Sequence, residues 1–64
     1  MHINGKEFKL QAPCTLLELL TQRNCTLDRV AVELNGTVIP KISFLETVVA
    51  DDDRLEIVSF VGGG

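Results

Sequence analysis

Arg54-Leu55-Glu56-Ile57-Val58-Ser59-Phe60-Val61 is the stretch whose reading decides the fold. Apolar residues recur here at every second position and no residue breaks the run, which is the pattern of a β-strand. Leu55 and Ile57 share one face and are expected to meet a core. Val58 and Phe60 share the other face with Glu56, the side that should meet water. Apolar side chains on a solvated face are what a docking surface needs, because binding energy concentrates in a few aromatic and aliphatic anchors. The alternative is a central strand partly covered on both faces.

Beyond that strand the chain reads Gly62-Gly63-Gly64. Glycine loses more conformational freedom on ordering than any other residue, so three in a row predict a thin, flexible tail after a domain of residues 1–61. Such a tail could thread its carboxylate down a narrow channel of another protein; an inert frayed end or a cloning remnant is the bland reading. Before the strand stands Asp51-Asp52-Asp53. An EF-hand calcium loop needs oxygens at alternate positions, a glycine and a distal glutamate, and that spacing is missing, so a tight turn is expected.

The N-terminal end pairs with itself. Met1 and Ile3 alternate with His2 and Asn4, Asn4-Gly5 is the dipeptide favoured in two-residue hairpin turns, and Phe8 and Leu10 resume the alternation. Counted across the turn, Met1 opposes Phe8 and Ile3 opposes Lys6, placing Met1, Ile3, Phe8 and Leu10 on the buried face. His2 falls on the other face, where a lone imidazole is read as a solvated strand residue.

Ala12-Pro13-Cys14 ends this hairpin, and Thr15-Leu16-Leu17-Glu18 matches a capping box, so a helix opens at Thr15. Leu16, Leu19 and Leu20 form its apolar stripe with Leu17 at the edge, and Arg23 and Asn24 suit its end. Cys14, just before the cap, is placed to pack against Leu19. About ten helical residues would hold Cys14 and Cys25 ~15 Å apart, whereas a disulfide needs Cα atoms within about 7 Å. Two free thiols are expected, and no Cys/His pair stands at zinc-ligand spacing.

Arg29 to Leu34 alternates again, with Val30, Val32 and Leu34 on one parity. It turns at Asn35-Gly36 and returns through Val38-Ile39, and Pro40 confines that return to a sheet edge. Ile42, Phe44 and Leu45 are read as an irregular or 3₁₀ turn closing the bottom of the core, and Thr47-Val48-Val49 as an extension of an edge. The sum is an α+β domain: a small mixed sheet wrapped across one main helix, its first and last strands parallel at the centre.

Composition limits what such a domain does. Sixty-four residues make one domain near the lower size limit for folding without staples, with 45% hydrophobic residues and only three Phe, so Leu, Val and Ile must build the core. A net charge of −3 and a pI near 4.8 leave no clustered basic surface, which speaks against nucleic acid. An acidic surface is compatible with steering toward a basic protein partner. No run approaches the ~20 apolar residues that span a bilayer, and Met1-His2-Ile3-Asn4-Gly5 reads as a hairpin and not as a secretory leader, so a cytoplasmic protein is expected.

This order of elements with its terminal glycines resembles the β-grasp, or ubiquitin-like, fold, and more narrowly the ThiS family of sulfur carriers of thiamine biosynthesis. The resemblance is carried by Asn4-Gly5, Thr15-x-x-Glu18-Leu19-Leu20, Val30-Ala31-Val32-Glu33-Leu34-Asn35-Gly36, Val38-Ile39-Pro40, and Asp53-Arg54-Leu55-Glu56-Ile57-Val58-x-Phe60-Val61-Gly62-Gly63-Gly64. It spans nearly the whole chain, and the final dozen residues are its most specific part. Asp52 departs from it, since relatives often carry glycine there in an Asp-Gly-Asp turn.

The resemblance implies chemistry at one group, the Gly64 carboxylate, with Gly62 and Gly63 as a slim tail and Val58, Phe60 and Val61 as the contact for partners. An E1-like adenylating enzyme of the ThiF type would use ATP to form the acyl-adenylate. Sulfur from a donor such as a cysteine desulfurase would then displace AMP, leaving a thiocarboxylate for a thiazole synthase of the ThiG type. By the same resemblance the chain is a cosubstrate and not an enzyme, with no permanently bound cofactor, no metal, and no nucleic-acid or membrane partner. Competing readings are the small subunit of molybdopterin synthase, a ubiquitin-like modifier joined through Gly64, and an interaction domain with an inert tail.

Overall fold

The computed structural model describes residues 1–60 of the chain. Both Asn-Gly pairs do what their chemistry predicts. Asn4 (φ 54°) and Gly5 (φ 83°), and again Asn35 (φ 50°) and Gly36 (φ 87°), take the left-handed backbone that a two-residue hairpin turn demands of both central residues. The first pair joins β1 (His2–Ile3) to β2 (Lys6–Glu7), with His2 opposite Glu7 and Ile3 opposite Lys6. Met1 and Ile3 are buried as expected. Phe8 corrects the expectation for its face: it remains 37% exposed at the rim, with the Arg23 guanidinium 4.7 Å from its ring centroid. A cation over an aromatic face is stabilising, so the ring is held without being enclosed.

After β3 (Cys14–Thr15), helix α1 runs from Leu16 to Gln22 with Thr15 as its cap. The Thr15 hydroxyl accepts from the Glu18 backbone N–H at 3.1 Å, and the Glu18 carboxylate accepts from the Thr15 N–H at 2.9 Å. The Thr15 N–H, then the Thr15 hydroxyl donating to the same carboxylate oxygen at 3.0 Å, hold the Glu18 carboxyl below its ordinary value. The next free N–H groups of the first turn, those of Leu16 and Leu17, donate to the carbonyls of Thr47 and Phe44. At the far end Asn24 turns left-handed (φ 59°), its N–H reaching Thr21 and that of Cys25 reaching Leu20, the Schellman pattern that satisfies the last carbonyls. Leu16, Leu19 and Leu20 face the core.

A 3₁₀ turn (Leu27–Arg29) leads into β4 (Val30–Leu34), the Asn35-Gly36 turn and β5 (Thr37–Ile39). The following 3₁₀ turn, Lys41–Ser43, matches the predicted irregular segment, but its packing differs from expectation. Phe44 alone closes the core, at 2% exposure, while Ile42 (88%) and Leu45 (68%) face solvent. A single tight turn can aim only part of an apolar cluster inward. β6 (Val48–Val49) pairs antiparallel with β3, forming a two-stranded ladder separate from the main sheet.

β7 (Arg54–Ser59) lies in the middle of the five-stranded sheet, whose order is β2-β1-β7-β4-β5. It runs parallel to β1, as the sequence predicts, and antiparallel to β4. The strand ends at Ser59, short of the predicted Val61, which with the glycine tail lies outside the described residues. Leu55 is fully buried against Met1, Ile3, Val32, the helix leucines, Phe44 and Val49. Asn4 prolongs the contact between β1 and β7 with its side chain: Nδ2 donates to the Ile57 carbonyl at 3.1 Å and Oδ1 accepts from the Ile57 N–H at 2.7 Å.

The aspartate run is a turn built from its own carboxylates. Asp51 accepts from the Leu10 N–H at 2.7 Å and from the Met1 amine at 3.0 Å. Asp53 accepts from the Ala50 N–H at 2.8 Å and from the Asn35 side chain at 2.9 Å. Asp52 is not among the left-handed residues, so replacing a relative's glycine brings no backbone strain here.

Candidate functional site

β7 delivers one set of side chains inward and presents another outward. Leu55 has no exposed surface and Ile57 packs at the edge of the core, while Val58 and Phe60 are each 56% exposed. The alternation of the sequence therefore places both candidate anchors on the open face, as predicted. Phe60, one residue past the strand, is tied by its N–H to the Arg29 carbonyl at 2.7 Å. This bond fixes where the chain leaves the sheet.

Strand pairing adds residues that one-dimensional reading did not assemble. Val58 stands opposite Ala31 and Glu56 opposite Glu33 across β7 and β4, and Glu33 stands opposite Val38 across β4 and β5. Together they line a shallow groove of about 80 Å³ on the outer face of the sheet. Val38 at 66% exposure extends the apolar surface to the sheet edge. The signal that could have found them is the hairpin register at Asn35-Gly36, which puts Glu33 and Val38 side by side.

On the other side of Phe60 a second cleft of about 280 Å³ brings Ser59 and Phe60 against Cys25, with Arg23 and Arg29 on its walls. Cys14 and Cys25 are both free thiols, as expected. Burial and the nearby Glu18 carboxylate push the Cys14 thiol up from its ordinary value, which keeps it protonated and a poor nucleophile. Among the described residues no three His, Cys, Asp or Glu side chains cluster as metal ligands would. The described site is an exposed sheet face of apolar and acidic side chains. Gly62, Gly63, Gly64 and Val61, the remaining residues singled out in the sequence, lie outside the described residues.

The sequence matches the ThiS family over residues 1–64. The chain belongs to the ThiS family. It is 37% identical to the sulfur carrier protein ThiS of Bacillus subtilis, covering all of this chain and 98% of that one. The fold agrees with the crystal structure of the thiamine biosynthesis protein ThiS of Geobacter metallireducens, with a TM-score of 0.82, 35% identity, and coverage of 98% and 96% of the two chains. This ThiS-family chain is a β-grasp domain, one helix packed across a mixed sheet. It is also 44% identical over 62 residues to a thiazole synthase of Paramagnetospirillum magneticum, matching 97% of this chain but 19% of that longer protein. Some thiazole synthases thus carry a ThiS-like region within their own polypeptide. No helix among the described residues is long and apolar enough to cross a membrane.

Proposed function

We propose that this protein is a sulfur carrier of thiamine biosynthesis, whose Gly64 carboxylate is adenylated and converted to a thiocarboxylate. The observation that carries the reading is the full-length match to the ThiS family, glycine tail included. The outward pair Val58 and Phe60 beside the root of that tail supports it.

A carboxylate is a poor electrophile because its negative charge opposes attack and oxide is a poor leaving group. Gly64 attacks the α-phosphate of ATP bound to the activating partner, pyrophosphate leaves, and the acyl-adenylate carries AMP as a good leaving group. Sulfide adds to the carbonyl and expels AMP, leaving the thiocarboxylate; a persulfide donor first gives an acyl disulfide, which a thiol then cleaves reductively to the same thiocarboxylate. Thiocarboxylic acids ionise well below neutral pH, so the product is a soft anionic nucleophile that a thiazole synthase can use. ATP is a substrate at the partner's site and the catalytic groups are the partner's. Gly62 and Gly63 have no Cβ atoms, so they fit a narrow channel, while Val58, Phe60 and Val61 dock the activating enzyme. The cellular place of this chemistry is the cytoplasm.

The test is intact mass after incubation with the cognate ThiF-type enzyme, ATP and sulfide. The expected gain equals replacement of one oxygen by sulfur, confined to the C-terminal peptide. An unchanged mass with an enzyme that demonstrably turns over another carrier removes the proposal.

A further inference from the structure

The outer face of the sheet holds a feature that the fold does not require. Glu33 and Glu56 are direct cross-strand partners, and like charges in that position destabilise a sheet. Neither is in an ion pair: among the described residues the ion pairs are the Met1 amine with Asp51 and Lys41 with Asp28. Arg54, the cation nearest along β7, makes no ion pair with either glutamate. Both carboxylates line the same 80 Å³ groove together with Ala31, Val32, Val38 and Val58. The groove is therefore largely apolar, with two carboxylates side by side on one cross-strand row.

We infer that this groove receives an arginine of the activating enzyme, its guanidinium between Glu33 and Glu56 and an adjoining aliphatic side chain against Ala31, Val38 and Val58. Arginine fits better than lysine because its planar fork can donate to two carboxylates at once. Its weaker hydration also makes it the easier cation to desolvate. The repulsion present in the free carrier becomes attraction in the complex, which gives the face a preference for a basic, aliphatic surface over a plain apolar one. The groove adjoins Val58, which already belongs to the docking surface of the carrier reading, and the inference rests on that reading.

The test compares the wild-type chain with Glu33→Gln/Glu56→Gln, and with Val58→Ser as a control for the apolar contact. Titration calorimetry measures binding to the cognate ThiF-type enzyme at 50 mM and 300 mM salt. The double variant is expected to bind about tenfold more weakly at low salt and to lose most of the salt dependence shown by the wild type. Its thermal midpoint should rise by about 2 °C because the repulsion is gone, so the weaker binding is not a folding defect. Unchanged affinity and salt dependence in the double variant, with binding weakened by Val58→Ser, overturns the arginine while leaving the carrier reading intact. A wild type that neither binds the enzyme nor gains sulfur overturns both.

Discussion

The two faces of β7 are made from alternate residues of a single strand and have opposite duties. Inward, Leu55 is sealed among the helix leucines, Val32 and Phe44. Outward, Glu56, Val58 and Phe60 stand in solvent although two of the three are apolar. Burying a leucine contributes about 1.5–3 kcal/mol to folding, whereas an exposed valine or phenylalanine contributes little until a second molecule covers it. The inner face therefore holds the stability of the domain and, under the proposed function, the outer face its recognition; substitutions separate the two.

The largest separation is expected at Leu55→Ala. Removal of this buried side chain should cost about 2–5 kcal/mol, a large share of the roughly 3–10 kcal/mol available to a domain of this size. Chemical denaturation should show the midpoint falling steeply, and a near-wild-type midpoint would mean the inner face is not the core. Phe60→Ala is the opposite case. Affinity for the activating enzyme should fall by about 1–3 kcal/mol, with the denaturation midpoint within experimental error; lowered stability with unchanged affinity would turn Phe60 into a structural residue.

A smaller effect is expected at Thr15→Ala, which breaks the capping box that anchors α1 over the inner face. The loss should be about 1 kcal/mol of stability, visible in thermal melts, with binding to the enzyme unaltered at temperatures where the fold is intact.

The smallest is a pH effect at the junction of the hairpin and the aspartate turn. The Leu10 N–H, then the Met1 amine, hold the Asp51 carboxyl below its ordinary value of 3.8, and Glu18 is likewise held below 4.5 by Thr15. A carboxyl that ionises more readily when folded contributes stability that is complete above its ordinary value and is lost as pH falls through its lowered one. Stability should thus decline below about pH 4, and Asp51→Asn should flatten part of that decline. An unchanged acid limb in the variant would assign the decline to other groups.

Much of this division was legible in the sequence because strand parity and hairpin turns are local signals. The alternation at 54–60 told inner from outer, the first Asn-Gly pair set its register and the second marked a turn, and Thr15-x-x-Glu18 marked the helix start. What escaped depends on contacts between distant segments. The Glu33–Glu56 pair exists only once β4 and β7 are in register, and the hold of Asn4 on Ile57 joins residues 53 positions apart. The β3–β6 ladder is two residues long on each side, too short to show a period. Ile42 and Leu45 were misplaced for the related reason that a single turn has no periodicity from which to assign an inside. Phe8 lies past the end of β2 and remains 37% exposed, with Arg23 over its ring.

The central position of β7 has a mechanical consequence. A terminal strand at a sheet border can be unzipped one rung at a time when its end is tugged. Here the strand is paired with β1 at Arg54 and Leu55 and with β4 from Leu55 to Ser59, so tension applied through Phe60 loads the β4 pairing along its length and reaches β1 at the far end. Under the proposed function, a partner pulling on the chain beyond Phe60 would therefore strain the sheet pairing before it unravelled the body.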